Sequence, residues 1–157
     1  MRKLSQLLLV CLLLACGSDN EQTSNLNMLA AGKWDLSGIF IPGSNSSELN
    51  LFDTPFCPEC LKDDQIEIFS SGRYEISLGK DSCENNMQIF KFEHDGTWKF
   101  TQSEDSIMLN PDSPEPIMMR ISNLNEKELR LTYRDTIPQI LFKNDSSLYP
   151  ITILYTH

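Results

Sequence analysis

Apolar residues recur at every second position through most of the chain. Trp34, Leu36 and Phe40 open the series, and Ile66 with Ile68, then Tyr74, Ile76 and Leu78, continue it. Phe90 and Phe92, Trp98 and Phe100, and Ile107 and Leu109 follow. Ile117, Met119 and Ile121, then Leu129, Leu131 and Tyr133, then Ile151, Ile153 and Tyr155 complete it. A period of two puts alternate side chains on opposite faces of a strand. With a weaker patch at Ile140, Leu141 and Phe142, the pattern predicts nine or ten short strands. Each has one wet face, as antiparallel sheets do. From Gly32 onward no amphipathic helix longer than about two turns competes.

The punctuation agrees with this reading. Ser70-Ser71-Gly72 and Asp95-Gly96 read as hairpin turns, because Gly tolerates the positive φ that tight turns require. Asn123 to Lys127 separates two later strands. Pro111, Pro114 and Pro116 fall in one loop, where a missing N–H breaks no ladder. Short strands with regular turn signals predict a meander closed into a barrel, or a sandwich. Residues 42–64 form the one long irregular connection.

The first residues obey a different pattern. Arg2 and Lys3 precede an unbroken apolar run from Leu7 to Ala15, and Cys16, Gly17 and Ser18 follow. The layout is that of an export signal, and the run is too short to span a bilayer as a helix. Leu13-Leu14-Ala15-Cys16 resembles the lipobox of bacterial lipoproteins. That resemblance implies removal of residues 1–15 and acylation (palmitate-type chains) of Cys16, a membrane anchor because several acyl chains hold firmly. Residues 16–31 are small and polar and read as a flexible tether. Within it, Ser18-Asp19-Asn20-Glu21 resembles the acidic surface-export signal of some Gram-negative lineages. Residues 32–157 remain as one domain, with no internal repeat.

Charge narrows the partners. The chain carries 13 Lys and Arg against 22 Asp and Glu, a formal net charge of -9. Such a surface repels phosphate backbones, which excludes a nucleic-acid binder. At 22% charged and 9% aromatic, the composition supports a packed core.

Three cysteines remain in the exported domain. Cys60 stands just before the strand at 65–69 and Cys83 just after the strand at 73–78, so a bridge between them would staple that hairpin. Its worth is about 3 kcal/mol in the chain-entropy model. Cys57 competes for Cys83, and a Cys57–Cys60 pair would look like a redox motif. Its loop and strand flanks lack the helix N-terminus that activates such thiols.

Other chemistry is sparse. His157 is the last residue and is expected to fray, and His94 flanks the Asp95-Gly96 turn. Cys57, Cys60, Cys83 and His94 lack the second paired knuckle of a zinc site, so no metal is expected. Asp63, Asp64 and Glu67 are acids without a calcium-loop pattern. No Gly-x-Ser-x-Gly elbow or Gly-rich phosphate loop is present, and no cofactor is expected.

Gly32-Lys33-Trp34-Asp35-Leu36, Cys60 with Asp63-Asp64, Phe69-Ser70-Ser71-Gly72-Arg73-Tyr74, Cys83, Gly96-Thr97-Trp98 and Asn125-Glu126-Lys127-Glu128-Leu129 occur in that order. This set is similar to the lipocalin-like domains of small bacterial lipoproteins, over roughly residues 30–134. Cys57 and the tail from 135 on fall outside it. The resemblance implies an all-β, up-and-down antiparallel barrel of about eight strands, with Cys60 bridged to Cys83. It implies that Trp34 closes one barrel end, with Arg130 or Arg134 stacked on its ring. The expectation is a monomeric, non-enzymatic envelope lipoprotein, anchored through Cys16 to the outer membrane. It would bind a small hydrophobic ligand in a cup lined by Trp98, Phe90, Phe92 and Met119. The alternative is a filled barrel that engages a protein partner through loops 42–64 and 110–116.

Overall fold

The computed structural model describes residues 25–43, 47–55, 57, 59–80, 93–136 and 148–157. The expectations for residues 1–15, Cys16, Cys83, Phe90, Phe92 and 140–142 lie outside the described residues. Nine strands are described: β1 (Lys33–Pro42), β2 (Glu48–Asn50), β3 (Gln65–Phe69), β4 (Arg73–Ser77), β5 (Asp95–Phe100), β6 (Ser106–Leu109), β7 (Ile117–Leu124), β8 (Glu128–Thr136) and β9 (Leu148–Thr156).

They form one antiparallel sheet in the order β2-β1-β3-β4-β5-β6-β7-β8-β9, and β9 pairs back onto β1. The closure makes an eight-stranded up-and-down barrel, the expected fold class, and it removes exposed sheet edges. β2 is an accessory strand. One edge of β1 is shared between β3, at Lys33 to Asp35, and β2, at Phe40 to Pro42. The other edge takes β9 from Asp35 to Phe40.

Inward side chains alternate as the pattern requires. Ile66, Ile68, Ile107, Leu109, Met119, Leu129, Leu131, Ile151 and Ile153 are each at most 3% exposed. The first strand departs from the expectation. Its register with β9 shifts between Leu36 and Gly38. A bulge adds one residue and flips the alternation, so Ile39 and Ile41 point inward and Phe40 is only half-buried.

The Asp95-Gly96 expectation is also corrected. Both residues lie inside β5, opposite Glu75 and Tyr74. Gly96 does not have positive φ, whereas Gly72 does, at 82°, in the β3–β4 turn. Gly96 instead permits close approach. A Cβ there would lie 2.9 Å from the Tyr74 ring and against the Asn110 side chain. Asn110 accepts from the Thr97 N–H at 3.1 Å and donates to the Tyr74 hydroxyl at 3.1 Å. Its own φ of 48° is one that Asn tolerates.

Residues 25–29, at the end of the stretch read as a tether, form a helical turn. Leu29 is fully buried, and Leu26 packs on the core. The turn lies at the end of the barrel where β1 begins. The opposite rim carries the start of β9 and the loop between β6 and β7.

Candidate functional site

Trp34 fills the end of the barrel beneath that helical turn. It is 0% exposed, and its indole N–H donates to the Leu29 carbonyl at 3.0 Å. Trp98 closes the same end from β5 and donates its indole N–H to the Phe69 carbonyl at 3.0 Å. Each buried indole thus has its donor satisfied.

The ring packed on Trp34 is not an arginine. His157 stacks there, with centroids 3.8 Å apart and planes tilted by 31°. The last residue is therefore docked rather than frayed. Its backbone N–H also reaches the Lys127 carbonyl, at 3.3 Å. Arg130 lies over Phe40, 5.2 Å from the ring centroid, and within 3.8 Å of both Glu48 and Glu128. Phe40 could accept it only because the bulge turned that ring outward.

The remaining sequence candidates divide plainly. Cys60 is half-buried in the 3-10 turn Glu59–Leu61. Cys83 lies outside the described residues, and so does the expected pairing. Cys57 is 6% exposed, and burial pushes its thiol up, away from the reactive thiolate. Asp63 accepts the Lys80 N–H at 2.6 Å, and Asp64 accepts the Gly79 N–H at 3.2 Å. The two acids therefore clamp the segment leaving β4. Asp64 is 8% exposed, and that burial raises its carboxyl above the usual range. Glu67 sits mid-strand on β3, opposite Glu75. His94 is exposed and serves through its carbonyl, which accepts the Ile76 N–H at 2.6 Å. Among the described residues, no three His, Cys, Asp or Glu side chains gather closely enough to hold a metal ion.

Trp98 and Met119, expected to line a cup, are 5% and 2% exposed and belong to the packed core. A cleft opens instead on the flank. The β7–β8 ladder runs from Leu124 opposite Leu129 to Arg120 opposite Thr132 and stops there. β7 stays paired to β6 as far as Ile117, and β8 to β9 as far as Thr136. The two strands therefore part toward the rim while each keeps its other neighbour. A cleft of about 720 Å³ occupies the parting. Pro116, Ile117, Met118 and Pro150 give it an apolar surface, and Arg120 and Arg134 bring two guanidiniums. The Ser106 and Thr132 side chains belong to the same wall, and Glu115 and Asp135 are its acids. Of these residues, the sequence names Arg134 for a different role, Ile117 as a strand position, and Glu115 and Pro116 as part of the 110–116 loop offered to a protein partner.

Comparison with protein-family models and with curated proteins returns no match. The eight-stranded closed barrel is compatible with a lipocalin-like fold, and its geometry alone carries the functional argument.

Proposed function

We propose that this chain is a lipid-anchored envelope protein of lipocalin-like type whose barrel is a non-enzymatic module for binding a small ligand. The observation that carries the reading is the flank cleft. Its volume lies within the roughly 300–1,000 Å³ of small-molecule sites, and it combines apolar walls with a few convergent polar groups. The Leu13-Leu14-Ala15-Cys16 box supports acylation at Cys16 and an outer-membrane location. A Cys60–Cys83 bridge would staple the β3–β4 hairpin, whose outer ends those residues bracket.

A specific observation favours a second reading, that of a protein-interaction domain with a filled barrel. Leu49, Leu78, Met118 and Leu148 are 40–59% exposed, and all four stand toward the rim opposite Trp34. Exposed apolar groups so placed suit a partner surface. Native mass spectrometry of the protein taken from its own envelope separates the two. A bound species of small-molecule mass supports the first reading, a stoichiometric protein partner without one supports the second, and the mass of the chain itself reports acylation.

A further inference from the structure

Arginine in this barrel follows two habits. The described chain has four: Arg73, Arg120, Arg130 and Arg134. Arg73 pairs with Glu75 at 2.8 Å, and Arg130 lies between Glu48 and Glu128. The side chains of Arg120 and Arg134 make no hydrogen bond or ion pair among the described residues. Asp105 feels the charge of Arg120 only through space. Its carboxylate is occupied by the hydroxyls of Ser103 at 2.7 Å and Ser106 at 2.9 Å. Arg120 and Arg134 thus bring two open guanidiniums to one cleft.

Their position gives them a common target. Arg120 sits at the last β7–β8 rung, opposite Thr132. Arg134 lies two residues further along β8, where the strands have parted and where Pro150 of β9 pairs with it. Continuing the register places it opposite Met118, a side chain 57% exposed. The cleft therefore has cations beside an apolar surface. A guanidinium fork matches the planar two-oxygen face of a carboxylate. Glu115 and Asp135 share the cleft, so a singly charged head is favoured over a phosphate dianion.

We propose that the flank cleft receives a small amphiphilic carboxylate, with Arg120 and Arg134 on the head group and Met118, Ile117 and Pro150 against the apolar body. The inference rests on the reading of the cleft as the ligand site and names the chemistry it takes.

The test is calorimetric titration of the full mature protein in lipid nanodiscs, with empty nanodiscs as blank. Four probes share one body: 4-phenylbutyrate, 4-phenylbutanol, 4-phenylbutylamine and 4-phenylbutyl phosphate. The carboxylate is expected to bind most tightly and the amine most weakly. In the double variant Arg120→Gln, Arg134→Gln, carboxylate affinity should fall about tenfold or more, the scale of lost charge-assisted hydrogen bonds, while the alcohol is unaffected. Both positions are exposed, so an unchanged melting curve is expected and certifies the fold. Equal binding of carboxylate and alcohol, tighter binding of the phosphate, or an undiminished carboxylate affinity in the variant would each overturn the inference while leaving the cleft a ligand site. Failure of the wild-type protein to bind any of the four would remove the ligand-site reading itself.

Discussion

Truncating Trp34 removes the largest side chain in the plug. The indole is fully buried between Leu29 and His157, so Trp34→Ala leaves a void that the barrel end cannot collapse to fill. Such a truncation costs about 3–5 kcal/mol. It also strands the Leu29 carbonyl, which adds about 1 kcal/mol, and it loses the ring contact with His157, about 0.5–1.5 kcal/mol. Against a total stability of about 5–15 kcal/mol, the loss is a large fraction of the whole. Urea unfolding of the chain from residue 22 on, followed by far-UV circular dichroism, measures it. With a slope of about 1–3 kcal/mol per molar, the midpoint should fall by more than about 1 M. His157→Ala should lose only the ring contact, and Lys33→Ala, on the exposed face, should stay within about 0.5 kcal/mol of wild type. If Trp34→Ala and Lys33→Ala unfold together with wild type, Trp34 is not the plug.

Three further outcomes follow from particular contacts. Gly96→Ala should destabilise by about 1–3 kcal/mol, since the new methyl meets the Tyr74 ring and an Asn110 side chain fixed by its hydrogen bonds; thermal melting reads it, and an unchanged midpoint would contradict the packing. Asp64 has its carboxyl raised above 3.8 by burial, so the folded state holds its proton more tightly than the unfolded state does. Its contribution is present below that value and is lost as pH rises through the folded pKa. Asp64→Asn should therefore show a smaller loss of stability than wild type on raising pH across that window, and parallel pH profiles would refute the assignment. Peptide mapping of the unreduced protein should recover Cys60 linked to Cys83 with Cys57 unbridged, and a Cys57-containing bridge would show the wrong pair had been chosen.

The barrel was legible because its signal is local. Inward rows such as Ile66 and Ile68, or Leu129, Leu131 and Tyr133, need only a period of two, and the structure buries each of these residues. The errors arise where a distant residue decides. Gly38 stands at the bulge in the run from Trp34 to Pro42, but which of Ile39, Phe40 and Ile41 turns outward is set by pairing with β9. Asp95-Gly96 has the composition of a turn. Yet its glycine answers to Asn110, fourteen residues on, which needs the space a Cβ would take. His157 looked like a loose end because its partner, Trp34, lies at the other end of the chain. The cleft was least legible of all. Residues 117–119 and 133–135 alternate like their neighbours, and the parting of β7 from β8 leaves no mark in that alternation.

Met118 and Met119 offer the most direct test of the cleft as the ligand site. They are adjacent on β7 yet face opposite sides of the wall, 57% and 2% exposed. Methionine ε-methyl NMR during a 4-phenylbutyrate titration reads both sides at once, with Met118→Leu and Met119→Leu assigning the signals. Binding in the flank cleft predicts a saturable shift of the Met118 methyl while the Met119 methyl stays in place. A saturable shift of Met119 with Met118 unmoved would put the ligand inside the barrel and contradict the account.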